Sequence, residues 1–196
     1  MLAGMSAAGE ASLHPLFLKL EKRLVLVVGA GAVAERKVAA LLETRASVLV
    51  VAPEATAELQ RLARAGDVQW HARAFADADV DGAWLVVAAT SDAAAQQRVA
   101  AAAEARRVFV IAVDDPPNAS AYSGAVVRRS PFTIAISSSG ETPALTRLVR
   151  EVIEHVLPPD DWVEHAKKLR ARWLAAGTPM GERFGELVRE LGRLPK

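Results

Sequence analysis

The sequence predicts an α/β protein, on three observations. Between Leu24 and Asp114, short and nearly continuous apolar runs alternate with stretches of helical period. The first apolar run leads straight into a glycine turn, "GAGAVA", at residues 29–34. From Thr142 onward the apolar spacing is helical throughout. Apolar strands separated by helices imply a parallel sheet covered on both faces. The expected plan is a Rossmann-like front half, a short β segment and a helical tail.

Taken in order, "LVLVV" at 24–28 reads as a buried strand. "AVAERKVAALLETR" follows as a helix with apolar residues at 33, 34, 38, 41 and 42. "SVLVVA" is a second strand, and "ATAELQRLARAG" a helix ended by Gly66. "VQWHARAF" is a third, more alternating strand, and "AWLVVAAT" a fourth. "SDAAAQQRVAAAAEARR" is a helix capped by Ser91 or Asp92, and "VFVIAVD" a fifth strand. Then the rhythm breaks. "ASAYSGAVVRRS" and "PFTIAISSSG" are strand-like runs with no helix between them, either an antiparallel pair or an addition to the sheet edge. Three helical stripes follow: residues 145, 148, 149, 152 and 156; Trp162, Ala166, Leu169 and Trp173; Phe184, Leu187, Val188 and Leu191. "LPPDD" and "AAGTPMG" separate them. Such stripes need cover, from a dimer interface or from packing onto the sheet.

Composition narrows the function classes. With 196 residues, 52% of them hydrophobic and 24% charged, the chain has material for a core and is not of disordered type. A net charge of +1 argues against a general nucleic-acid binder. The lack of cysteine excludes disulfides and thiolate metal sites. His14, His71, His155 and His165 show no ligand spacing, so no metal site is expected. No run reaches the ~18 apolar residues of a membrane helix. Residues 1–15 carry Glu10 and no basic leader segment, so they read as a loose tail rather than a signal peptide. A cytoplasmic protein without membrane or nucleic-acid partners is the expectation.

The turn Gly29-Ala30-Gly31-Ala32-Val33-Ala34 has the G-x-G-x-x-A form of a dinucleotide fingerprint, and it sits between strand and helix as that reading requires. Gly29 permits the tight turn, Gly31 lets backbone approach a pyrophosphate, and Ala34 keeps the helix close to the sheet. The helix N-terminus adds free N–H groups and partial positive charge. The bland alternative is a structural glycine turn. The second strand ends in Val51-Ala52-Pro53, where an acid for the ribose 2′-OH is expected, and Glu54 comes slightly late. No arginine follows at once to hold a 2′-phosphate, so NAD is favoured over NADP.

Ligands of open parallel sheets bind outside the carboxyl ends of the strands. Thr90-Ser91 and Asp114-Asp115 stand at two such ends. An aspartate there can serve as a general base, worth roughly 10²–10⁴-fold in rate. Equally, the two aspartates can simply open the proline turn "DDPPN". "ISSSGETPA" offers hydroxyls ahead of a helix start, an anion-friendly turn or an ordinary N-cap.

Taken together, "HPLFLKLEKRLVLVVGAGAVAERKVAALL", "AWLVVAATSDAAAQQRV", "VDDPPNAS", "RRSPFTIAISSSGETPALTRLVRE" and "PMGERF" resemble the precorrin-2 dehydrogenase family, which includes the N-terminal module of bifunctional siroheme synthase. The resemblance runs from about His14 to Phe184. It implies an NAD-dependent oxidation of precorrin-2 to sirohydrochlorin, on the path to sirohaem and in some lineages cobalamin. Some members also insert Fe²⁺, and others do not. It implies a cytoplasmic homodimer with a Rossmann domain over 14–114, a dimerisation β segment over 115–143 and a helical domain over 144–196. The family's key aspartate, implicated in dehydrogenation and in metal insertion where that occurs, falls on Asp114. The serine of the substrate site falls on Ser138. The cofactor turn falls on Gly29, Gly31, Ala32 and Val33, with Ala52, Pro53 and Glu54 near the adenosine and Thr90 at the neighbouring strand end. Two departures are Ile111, where a polar residue is common, and Ser139, where glycine is frequent. Both are expected at the cleft, which makes the second activity harder to transfer than the first.

The implied tetrapyrrole bears many carboxylates, and guanidinium forks suit them. Arg128, Arg129, Arg147 and Arg150 surround the serine turn, while Arg36 and Lys37 follow the glycine turn. As a group they are candidates for substrate attraction; singly, each reads as solvated surface. Two rivals stand beside this reading. One is an NAD(H)-sensing regulatory module without catalysis, which leaves Asp114 and the serine turn unexplained. The other is an oxidoreductase for a different small molecule.

Overall fold

The computed structural model describes residues 13–139 and 141–192. Most of the expected N-terminal tail, Gly140 of the serine turn and the last four residues lie outside the described residues. The chain divides into two compact units, one ending at Ser123 and the other beginning at Gly124.

In the first unit β1 (Leu24–Val28) is the centre of a five-stranded parallel sheet. The others are β2 (Ser47–Val51), β3 (Gln69–His71), β4 (Leu85–Ala88) and β5 (Phe109–Ala112), in the order β3-β2-β1-β4-β5. Val28 lies opposite Val51 on one side and Ala88 on the other. The strand order reverses between β1 and β4, where open α/β sheets bind ligands.

Strand side chains alternate between faces, so each apolar strand feeds two cores. Val25, Val27, Val48, Val50, Leu85 and Val87 pack with Ala34, Val38 and Leu41 of α1 (Ala32–Leu42) and with Leu59 and Leu62 of α2 (Ala57–Ala65). Leu26, Val28, Leu49, Val51, Val86 and Ala88 pack with Val99, Ala102 and Ala103 of α3 (Ala93–Glu104). Val25, Leu26 and Val27 are fully buried. Each such side chain contributes roughly 1.5–3 kcal/mol by leaving water.

Several elements are shorter than their sequence patterns, for local reasons. The first helix stops at Leu42, where the Thr44 hydroxyl donates to the Leu41 carbonyl (2.6 Å) and Arg45 turns into left-handed backbone. Thr56 caps α2 by accepting from the Leu59 N–H (3.3 Å), and Gly66 ends it with φ +81°. The third strand keeps three residues of the expected eight. Beyond it the Arg73 N–H donates back to the His71 carbonyl (2.9 Å). The Arg73 guanidinium grips Asp79 with two nitrogens and draws the chain out of the sheet edge. That grip holds the Asp79 carboxyl below the usual carboxylate range.

In the second unit β6 (Ala125–Arg129) and β7 (Phe132–Ile136) form an antiparallel hairpin with Ala125 opposite Ile136. They make their own two-stranded sheet, so of the two expected arrangements the addition to the large sheet's edge is not the one adopted. Three helices follow: α4 (Pro143–Val156), α5 (Asp160–Ala176) and α6 (Met180–Leu191). Proline at the first helical position suits α4, and Gly177 closes α5 with φ +67°. Of the expected stripes, that of α5 is buried through Leu169 and Trp173. The Trp173 indole also donates to Glu186 Oε2 (2.7 Å), linking α5 to α6. The other two are open: Leu145, Leu148, Val152 and Val156 on α4 and Phe184 and Val188 on α6 are exposed. Among the described residues no helix is long and apolar enough to cross a membrane.

Candidate functional site

A cavity of about 880 Å³ opens at the carboxyl ends of β1, β2, β4 and β5, lined wholly by the first unit. Its size is that of a cofactor or small-molecule site. Gly29, Gly31, Ala32 and Val33 of the glycine turn line it. Gly29 has φ +100°, and a Cβ there would stand 2.4 Å from the Ala89 carbonyl oxygen. Its N–H donates to the Val51 carbonyl (3.0 Å), so one peptide joins the exits of three strands. Gly31 differs: a Cβ built on it meets nothing within 4 Å. Its missing side chain therefore serves the space above the turn, not the packing below. Gly31 is also the N-cap of α1, and no side chain caps that helix. First-turn N–H groups without a cap are suited to an anion. Ala34 is fully buried against the sheet, as the fingerprint requires. The open Gly31 position and the uncapped helix both fit a dinucleotide pyrophosphate.

At the β2 exit, Ala52, Pro53 and Glu54 line the same cavity. The Ala52 carbonyl accepts from the Trp70 indole (3.0 Å), and the Thr56 N–H donates to the Ala30 carbonyl (3.1 Å). The first bond ties the β2–α2 loop to β3 and the second ties it to the glycine turn. Ala74 and Phe75 complete this wall and were not anticipated; Phe75 sits in a segment whose alternation reads as strand.

The other wall comes from β4 and β5. Thr90 lines the cavity, and its hydroxyl accepts from the Asp92 N–H (3.2 Å). Asp92 accepts from the Ala94 and Ala95 N–H groups, so it and not Ser91 caps α3. One turn on, Gln96 lies on the buried face of α3 with 8% exposure. Its amide donates to the Thr90 carbonyl (3.0 Å) and the Val113 carbonyl (3.1 Å), pinning two strand exits together. Among the described residues its oxygen is buried without a partner. Both amide hydrogens face carbonyls, so the group cannot turn over without opposing oxygen to oxygen. Nothing in the run Ala95-Gln96-Gln97-Arg98 singles this residue out from its neighbour.

Asp114 follows directly, with φ +56°, and lines the cavity. Asp115 does not line it; its carboxylate accepts from the Asn118 side chain (2.7 Å) at the start of the Pro116–Asn118 turn. The two readings of the aspartate pair thus separate: Asp115 shapes the turn and Asp114 meets the cavity. Ile111 packs into the core on the α1 side and does not line this space. Lys37, on α1, is half-buried, and burial first and Arg36 second push its ammonium down, against the opposing pull of Asp114.

The family described as "Putative NAD(P)-binding" matches residues 16–125, a stretch that contains the whole cavity lining. The chain belongs to this NAD(P)-binding family. It is 43% identical over 180 residues to siroheme synthase 3 of Aeromonas hydrophila subsp. hydrophila, covering 91% of this chain and 38% of that protein. To siroheme synthase 1 of Cronobacter sakazakii it is 49% identical over 144 residues, 74% of this chain and 31% of that one. The chain therefore spans less than two fifths of the curated relatives it matches. A solved structure titled "SirC, precorrin-2 dehydrogenase" shares the fold, with a TM-score of 0.72 at 22% identity over 90% of this chain and 88% of that one.

The remaining expected residues of this NAD(P)-binding family member lie in its second unit. The Ser138 hydroxyl oxygen accepts from the Thr146 hydroxyl (2.8 Å) and the Thr142 N–H (3.3 Å), tying the serine turn to the start of α4. Ser139 has φ +54°, a conformation that glycine adopts without strain. Arg128 is exposed on β6. Arg129 donates to the Leu157 carbonyl (3.3 Å) and lies 3.8 Å from Asp160, closing the end of α4. Arg147 pairs with Glu151 (2.9 Å), and Arg150 with Glu154 (2.7 Å). Among the described residues no group of three or more His, Cys, Asp or Glu could hold a metal ion.

Proposed function

We propose that the chain is an NAD-dependent dehydrogenase that oxidises precorrin-2 to sirohydrochlorin on the path to sirohaem. One observation carries this reading: the open glycine turn and Asp114 line a single cavity. The siroheme synthase relatives and the structural neighbour titled precorrin-2 dehydrogenase support the substrate class.

Gly29, Gly31, Ala32 and Val33 would hold the pyrophosphate, with Ala52, Pro53 and Glu54 at the adenosine. Thr90 lies on the opposite wall. When bound, NAD supplies the hydride acceptor. NAD is preferred to NADP because the wall at the adenosine end presents an acid, Glu54, while the next arginine in the chain, Arg61, is engaged by Glu58. Dehydrogenation removes a hydride and a proton from neighbouring positions of the reduced macrocycle. Asp114 accepts that proton, or orients the ring so that it leaves. Ser138, Arg128, Arg129 and Arg147 are the proposed substrate contacts, and Arg129 and Arg147 must share their charge with the acids they already meet.

A cytoplasmic homodimer completes the reading. The open apolar face of α4 supports pairing with a second copy. The deciding experiment is anaerobic incubation of the protein with precorrin-2 and NAD or NADP, followed by absorbance. Turnover with NAD is expected. Nucleotide binding without turnover overturns the enzyme and favours the sensing module. Addition of Fe²⁺ or Co²⁺ afterwards reads the metal-insertion activity.

A further inference from the structure

Five non-glycine residues among those described have left-handed backbone: Lys22, Arg45, Arg107, Asp114 and Ser139. Arg45 and Arg107 take it just past α1 and α3, as chains commonly do on leaving a helix. Of the five, Asp114 alone lines the cavity. Its φ of +56° lies in a region that residues with a Cβ keep only when their surroundings hold them there. The ties on either side of it are on the page. The Val113 N–H donates to the Ala88 carbonyl (2.9 Å). The Val113 carbonyl, part of the peptide that leads into Asp114, accepts from the Gln96 side chain (3.1 Å). Beyond Asp114, the Asn118 N–H donates to the Asp115 carbonyl (3.1 Å) and the Asn118 side chain to the Asp115 carboxylate (2.7 Å).

We propose that Gln96 is a positioning residue for Asp114. Its bond to the Val113 carbonyl fixes the plane of the peptide between Val113 and Asp114. With that plane fixed, the left-handed φ gives the Asp114 Cα–Cβ bond one direction, that of a residue on the cavity wall. Without the bond the peptide is free to rotate, and Asp114 relaxes to the negative φ that L-residues favour. The second Gln96 bond, to the Thr90 carbonyl (3.0 Å), refers both cavity walls to one buried side chain. Asp114 thereby keeps its place relative to the β4 exit as well. The Gln96 oxygen, orphaned among the described residues, is a cost of burial, so the amide is held there for its two donors.

The catalytic consequence rests on the dehydrogenase reading, but the backbone consequence is measured without turnover. Gln96→Met removes both donors at similar volume. A crystal structure of the full-chain variant is expected to show Asp114 with negative φ, and a φ still near +56° overturns the proposal. With precorrin-2 and NAD, kcat of Gln96→Met should fall at least roughly tenfold, toward that of Asp114→Asn. The Kd for NAD, read by calorimetry, should stay within about threefold of wild type, because the glycine turn is untouched. Adding Gln96→Met to Asp114→Asn should lower kcat by less than about threefold, since no carboxylate remains to be positioned. Losses that multiply in the double variant assign Gln96 to general stability and overturn the proposal, as does an unchanged kcat in the single one. Should Gln96→Met not fold, Gln96→Asn decides by the same measurements, its amide stopping one methylene short of the Val113 carbonyl. A wild-type protein that does not oxidise precorrin-2, beside a Gln96→Met structure with Asp114 at negative φ, sinks the dehydrogenase reading and leaves the positioning role standing.

Discussion

The two glycines of the 29–34 turn should respond oppositely to the same added methyl group. At position 31 the backbone is extended, with φ −81° and ψ −174°, and the new Cβ meets nothing within 4 Å. Gly31→Ala should therefore fold, losing at most about 1 kcal/mol through the poorer N-cap. The methyl group instead occupies the space where a pyrophosphate would approach the first turn of α1. Displacing it forfeits one or two charge-assisted bonds at ~1.5–3 kcal/mol each, so NAD affinity should fall roughly 10- to 10⁴-fold. At position 29 the methyl group would sit 2.4 Å from the Ala89 oxygen and 2.7 Å from its carbon, on a residue with φ +100°. The left-handed backbone alone costs about 1–2 kcal/mol, and the β1 and β4 exits must part besides. Gly29→Ala should lose several kcal/mol and fail to fold its unit stably. Calorimetric titration with NAD, alongside thermal melts of both variants, reads the two effects separately. Gly31→Ala binding NAD with unchanged Kd would falsify the cofactor role of the turn, and Gly29→Ala melting like wild type would refute the packing account.

Asp114→Asn should keep its nucleotide affinity while kcat for precorrin-2 oxidation drops by roughly 10²–10⁴-fold, in steady-state assays. Gln96→Leu strips the Thr90 and Val113 carbonyls of their donor and also removes a partnerless oxygen; a net loss of ~1–3 kcal/mol in urea unfolding is expected. The Asp79 carboxyl titrates below its unfolded value, chiefly through Arg73. The stability it confers is therefore complete above the unfolded aspartate pKa and lost as pH falls through the folded one. Asp79→Asn should flatten the urea midpoint against pH in that acidic window, and an unaltered slope would count against the pair. Leu148→Glu, on the open face of α4, should convert a dimer to monomer in sedimentation velocity.

Much of the first unit was legible because its strands are apolar on both sides and its helices begin and end with recognisable chemistry. Val25 to Val28 can bury every residue only in a sheet covered twice, and Gly66 stops its helix as written. The glycine turn was legible for the same reason, since strand and helix frame it. What escaped was long-range. The brevity of β3 depends on Arg73 reaching Asp79, six residues away, and no period announces that. Gln96 looked like one more polar residue on an alanine helix until two strand ends met it. The aspartate pair after β5 could not be apportioned from spacing, because the choice turns on where Asn118 places its amide. In the second unit the stripes of α4 and α6 were correctly seen as apolar, but periodicity says nothing about what covers them.

The bond from the Trp70 indole to the Ala52 carbonyl has a practical side. It fixes a fluorophore against the wall proposed for the adenosine, in a chain with only four tryptophans. Emission from that indole will register an arriving nucleotide by quenching, and will excite bound NADH by energy transfer. The protein thus carries an optical gauge of its own occupancy, and a Trp70→Phe variant is the control that isolates its signal.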